Sequence, residues 1–324
     1  MKYSGHESFS VRKNWLQKGI QNIESFKKSG KEGELEAMDR LGLGRNMVKS
    51  LRFWLKACGV TNDEPKKKIF ELSPLGKIVS ENDPYIQESG TLCLLHYNLA
   101  ANKESATSWY FLFNEFNMTE FSEDDFCRAL EKWDEMNGEK KAAFSSFQKD
   151  FDCIRHTYIG RSRRAMDLEE DPESNMDSPF SELRLLEQNE KGEVKKACPL
   201  KNAISPLVLY AIILKMIEKN CEEKSEANMP YEKAKGGSKT AKAEQEAKNF
   251  WQAEIKLSSL LNGKYSPGKA FNMDSILLMN ILGELENKNC LQIVRTAGLD
   301  VVRLKKRTTY EECVKEYYGE FENE

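Results

Sequence analysis

The sequence predicts a mostly α chain with short β-wings (α+β): a winged helix-turn-helix N-terminal region, a helical middle and a second winged-helix-like C-terminal domain. Three observations predict it. Apolar residues recur at steps of three and four through 42–59, where Met47, Val48, Leu51, Trp54, Leu55 and Cys58 share one side of a helix. A short helical stretch at 34–41 stops at Gly42, so two helices meet at a tight glycine turn. A short strand follows at 66–72, and the C-terminal region repeats the order of helix (273–285), strand (291–295), turn and strand (301–305).

The side of the 42–59 helix opposite the apolar stripe carries Arg45, Lys49, Arg52 and Lys56, and the helix itself contains no acid. Four cations facing phosphates would give log affinity against log salt a slope of about −3.6. Asn46 and Ser50 are placed to reach a base edge, and Lys66, Lys67 and Lys68 stand on or beside the wing. The competing reading is a solvated basic face on an ordinary helical corner.

Composition sets the wider bounds. The chain has 324 residues, 40% hydrophobic and 31% charged, enough for two or three domains with a sizeable core. A net charge of −3 confines any nucleic-acid contact to local patches. No apolar run approaches the length of a membrane span, and the first residues have no signal-peptide core. Eight scattered cysteines without a Cys-x-x-Cys pair argue against a zinc ribbon and for reduced thiols in a cytoplasmic protein. The expected organisation is 1–80 winged helix-turn-helix, 81–219 helical middle, 220–248 charged flexible linker and 249–324 C-terminal winged-helix-like domain.

In chain order, residues 3–19 form a turn and a helix ending at Gly19. His6 and Glu7 stand side by side there, as a general acid/base pair or metal ligands, or as a hydrogen-bonded anchor of the N-terminus. Residues 20–33 have linker character. Residues 72–79 turn into a short helix, Asp83-Pro84-Tyr85 makes another turn, and 89–101 forms a buried helix carrying His96 among leucines. Trp109, Tyr110, Phe111, Phe113 and Phe116 are core residues at helical spacing, or stacking groups for unpaired bases. Ser122 caps a helix to about 136, and a further helix covers 140–158. Arg161, Arg163 and Arg164 form a second basic cluster. The acids of 167–177 are a solvated loop, or ligands for Mg²⁺ or Mn²⁺. Helices are expected over 179–187 and 203–219.

These motifs carry a family likeness. Gly5-His6-Glu7-Ser8-Phe9 with Arg12 and Trp15-Leu16, Leu43-Gly44-Arg45-Asn46 with Arg52-Phe53-Trp54-Leu55, Leu72-Ser73-Pro74-Leu75-Gly76, Asp83-Pro84-Tyr85 and Ser266-Pro267-Gly268 span nearly the whole chain. They resemble a bacterial defence-island family catalogued as a domain of unknown function, which is found near cysteine desulfurases and sulfurtransferases. That family in turn resembles the SspB component of single-strand DNA phosphorothioation systems. The resemblance implies a DNA-binding or DNA-nicking subunit of anti-phage defence, acting on double-stranded DNA with those modification proteins as partners. For nicking, His6, Glu7 and His96 are the candidate catalytic residues, Arg12 a candidate phosphate contact, and Mg²⁺ or Mn²⁺ the candidate cofactor. A non-catalytic DNA-binding adaptor, or a helical interaction protein without nucleic acid, are the alternatives.

Overall fold

The computed structural model describes residues 1–27, 30–64, 69–137, 142–160, 178–227, 254–296 and 299–321. The chain divides into two compact units, Met1–Ala203 and Ile204–Glu324. Each is mostly helical with a small antiparallel sheet or sheets, as the sequence predicts.

The first unit opens with α1 (Trp15–Gln21) and a short 3-10 turn, Ile23–Phe26. Next come α2 (Gly30–Leu41) and α3 (Arg45–Ala57). Gly42 joins the two helices at φ 62°, a left-handed turn that costs glycine little. The described part of the expected linker over 20–33 is instead made of the end of α1, the 3-10 turn and the start of α2. α3 buries Val48, Leu51, Phe53, Trp54, Leu55 and Ala57 against α1 and α2. Strands β1 (Thr61–Glu64) and β2 (Ile69–Leu72) pair antiparallel, with Thr61 opposite Leu72. Ser73 caps α4 (Pro74–Asn82) by accepting from Gly76 N at 2.9 Å, with Pro74 in the first turn.

Downstream lie α5 (Ser89–Ala100) and α6 (Thr107–Tyr110), the latter running into a π-helical turn, Phe111–Glu115. Trp109, Tyr110, Phe111, Phe113 and Phe116 are all buried, which decides for core over base stacking. α7 (Glu123–Asn137) and α8 (Phe144–Tyr158) pack together. The helix expected over 179–187 is instead a 3-10 turn, Pro179–Leu183, followed by strand β4 (Leu186–Gln188). β4 pairs with β5 (Val194–Lys196), which also pairs with β3 (Glu120–Phe121). Strands of two or three residues leave no readable alternation in the sequence.

The second unit begins with α9 (Pro206–Ala227), so the helix assigned to the middle domain belongs here, and residues 220–227 of the expected linker are helical. The rest of that linker lies outside the described residues. Then come β6 (Glu254–Lys256), α10 (Leu257–Asn262), α11 (Pro267–Ala270) and α12 (Ser275–Asn287). β7 (Leu291–Thr296) and β8 (Leu299–Leu304) follow. The sheet order is β6-β8-β7, antiparallel throughout. α13 (Tyr310–Gly319), closed by a Thr309/Glu312 capping box, packs on α9.

Candidate nucleic-acid interface and the buried histidines

The N-terminal end of α3 presents Arg45, Asn46 and Lys49 to solvent. The cationic ridge is not uncompensated. Arg45 Nη2 lies 2.7 Å from Glu34 of α2. Arg52 forms a two-pronged pair with Asp63 of β1, Nε to Oδ2 at 3.0 Å and Nη2 to Oδ1 at 2.9 Å, and its guanidinium sits 4.7 Å from the Phe70 ring centroid. Lys56 Nζ donates to the Asp63 carbonyl at 2.9 Å. The absence of acids within α3 concealed this, because the carboxylates come from neighbouring elements. Two of the four cations are thereby committed to the hairpin. The Arg45–Glu34 pair differs: its side chains are 59% and 38% exposed. A pair so wet is worth about 0–1 kcal/mol and yields readily to a phosphate. Ser50 is fully buried and donates to the Phe9 carbonyl at 3.4 Å, so it does not reach a base edge. Lys66, Lys67, Lys68, Arg161, Arg163 and Arg164 lie outside the described residues, as does the acidic run.

His6 is buried, with a hydrogen-bond partner at each ring nitrogen. The Ser8 N–H donates to Nδ1 at 3.1 Å, so the ring proton resides on Nε2, which donates to Asp150 Oδ1 at 2.8 Å. The same carboxylate accepts from Ser4 N at 2.8 Å and from Ser108 Oγ at 2.5 Å. Histidine and serine thus converge on one acid. They do not stand in series, so the group is not a nucleophilic relay. The ring also packs edge-on against Trp109 at 5.8 Å and Phe53 at 6.1 Å. Nearby, Tyr3 OH donates to Asp134 Oδ1 at 2.6 Å, and burial together with that carboxylate pushes the phenol pKa well up. The Phe9 carbonyl accepts from Trp54 Nε1 at 3.0 Å. The opening segment is therefore a strap joining α3, α6 and α8. Glu7 alone of the first nominated pair is exposed, at φ 50°.

His96 is equally buried. Its Nδ1 lies 2.8 Å from Tyr158 OH, and Phe113 meets its ring edge-on at 4.8 Å. Both histidines that the sequence offers as nicking bases are thus buried, His6 against Asp150 and His96 against Tyr158.

Arg12 is half-buried, with its guanidinium 5.4 Å from the Trp15 ring centroid. It lines an open cleft of about 340 Å³ with Lys13, Asn14, Gln17, Tyr85 and Gln87. This assembly was not legible beforehand: Asp83-Pro84-Tyr85 signals a turn but not what the turn faces. Among the described residues no three His, Cys, Asp or Glu side chains gather as metal ligands. No described helix is long and apolar enough to cross a membrane.

Residues 3–237 and 236–318 match the family described as "Protein of unknown function (DUF4007)", and the chain belongs to that family. Its fold is similar to that of SspB. One SspB crystal structure matches with a TM-score of 0.72 and 21% identity, covering 99% of this chain and 87% of that one. A magnesium ion-bound SspB crystal structure matches at 0.71 and 20% identity, over 99% and 95%. No curated protein matches the chain.

Proposed function

We propose that the protein is a duplex-DNA-binding subunit of a backbone-phosphorothioation system serving anti-phage defence in the cytoplasm, a non-catalytic adaptor that brings modification enzymes to DNA. One observation carries the reading. Arg45, Asn46 and Lys49 stand exposed at the start of α3, which follows a glycine turn and precedes the β1–β2 hairpin, the order of a winged helix-turn-helix. The SspB-like fold supports the phosphorothioation setting. The second unit has a winged-helix-like order too, with β6, α10–α12 and the β7–β8 hairpin in sheet order β6-β8-β7. Its outer helix α12 contains no Lys or Arg and exposes Ile276, Asn280 and Glu284. A face of that kind repels phosphates and suits a protein, such as a cysteine desulfurase or sulfurtransferase.

The test is fluorescence anisotropy on a labelled duplex across a salt series. Binding that survives Arg45→Glu with Lys49→Glu unchanged refutes the docking of α3. The magnesium in one SspB structure favours a second reading, nicking or opening of the duplex, in which Glu7 is the nominated residue that remains accessible. Incubating supercoiled plasmid with Mg²⁺ or Mn²⁺, against Glu7→Gln, separates the two by the appearance of relaxed circles.

A further inference from the structure

The cleft beside Arg12 is built from three separate stretches: Arg12, Lys13, Asn14, Leu16 and Gln17; Tyr85, Ile86 and Gln87; and Pro179 with Glu182. Two of its lining residues hold unusual backbone, Asn14 at φ 72° and Ile86 at φ 53°. For a β-branched residue the left-handed region is a genuine outlier, kept only where the surroundings over-determine it. They do so here. The buried Asp83 carboxylate accepts from Gln87 N at 2.9 Å, Glu88 N at 3.0 Å and Thr91 Oγ1 at 2.7 Å, while Ile86 N donates to the Asp83 carbonyl at 3.0 Å. The outcome of that bracing is a Tyr85 side chain left 58% exposed on a rigid turn at the cleft.

The lining is chemically mixed. It offers one flat aromatic ring, three side-chain amides able to donate and accept, an apolar floor of Leu16, Ile86 and Pro179, and two cations, of which Lys13 lies 3.3 Å from Glu182. Arg12 is held beside Trp15 by ring contact, which orders its planar fork. A ring face, an amide edge and a guanidinium together match a base, its hydrogen-bonding edge and its phosphate. The volume of about 340 Å³ falls at the small end of ligand pockets, enough for one nucleotide.

We propose that this cleft binds a single unpaired nucleotide, with Tyr85 stacking on the base, Asn14, Gln17 and Gln87 meeting its edge, and Arg12 meeting the phosphate. The inference rests on the DNA-binding reading for its source, an opened strand; a free mononucleotide shares the same chemistry.

The experiment measures anisotropy of a labelled oligothymidylate and of a blunt duplex on the full-length protein, with thermal melts confirming that each variant folds. Tyr85→Ala is expected to weaken oligothymidylate binding about tenfold. Tyr85→Phe is expected to restore it, and Arg12→Ala to lower the salt slope by about 0.7. Duplex binding stays as in the parent for all three. Thymidine monophosphate added as competitor identifies the source. Displacement that Tyr85→Ala abolishes assigns the site to free nucleotides as well; no displacement, with the Tyr85 effect intact, assigns it to a strand. Oligothymidylate binding equal to the parent in both Tyr85→Ala and Arg12→Ala overturns the proposal. Loss of α3 docking would show instead in the duplex arm with Arg45→Glu and Lys49→Glu, leaving the two failures distinct.

Discussion

His6 Nε2 and Asp150 Oδ1 meet at 2.8 Å across 144 residues of chain, and both side chains are shut off from water. The pair fastens the opening strap onto α8. With the imidazole removed, the carboxylate keeps Ser4 N and Ser108 Oγ but loses one donor inside a closed site.

His6→Ala is accordingly expected to destabilise the protein by about 2–3 kcal/mol, the cost of leaving a buried charged acceptor one bond short. Urea unfolding followed by circular dichroism reads this directly. An unchanged urea midpoint together with lost activity would return His6 to a catalytic role.

On α3 the expected salt dependence is shallower than four cations would give. Arg52 and Lys56 are held by Asp63 and the hairpin, leaving Arg45 and Lys49 to meet phosphates. Their contribution to the slope is about −1.8 instead of −3.6. Arg52→Ala should leave the slope alone and cost stability, roughly 1 kcal/mol for a half-exposed pair. Anisotropy titrations at several salt concentrations decide it, and a slope that Arg52→Ala reduces by one unit would put Arg52 on the DNA.

What the sequence could and could not convey follows from distance along the chain. The inner face of α3 was legible because helical periodicity is local: Leu51, Trp54 and Leu55 repeat within two turns. The partners of its outer face were not, since Glu34 and Asp63 arrive from other elements. Asn46 and Ser50, four residues apart, lie on one stripe of the helix, yet the strap covers only the second, through Phe9. His6 and His96 stood out as rare titratable groups, but rarity does not reveal that Asp150 and Tyr158 occupy them. The Arg12 cleft required three segments to come together, and no single stretch announces it.

Gly76 tests a close approach that only its missing side chain permits. A Cβ there would stand 2.1 Å from the Val60 carbonyl oxygen, a backbone atom that cannot swing aside. Gly76→Ala is expected to cost about 3 kcal/mol by forcing α4 away from the strand entry, despite the better helix propensity of alanine. The midpoint of denaturant unfolding checks it. A neutral or stabilising result would mean that α4 and Val60 can separate freely.

The thiols make the fold sensitive to alkali. Burial pushes Cys93 up to about 12 and raises Cys58 and Cys153 from an ordinary 9.0. In the unfolded chain these groups lose their protons above pH 9 while the folded protein retains them, so unfolding releases protons and stability falls as pH rises. Below pH 9 both states are protonated and the contribution is level. Each of the three thiols should therefore withdraw stability as the pH rises past 9. Tyr158, raised by the same burial, adds to the loss above pH 10. Urea midpoints measured from pH 8 upward should stay flat to about pH 9 and then decline. In parallel, Cys198 and Cys221, the exposed pair, should react promptly with a thiol reagent in the native protein, while the six buried thiols wait for denaturant. A midpoint that holds steady past pH 10, with all eight cysteines reacting at once, would mean that the buried thiols are open to water.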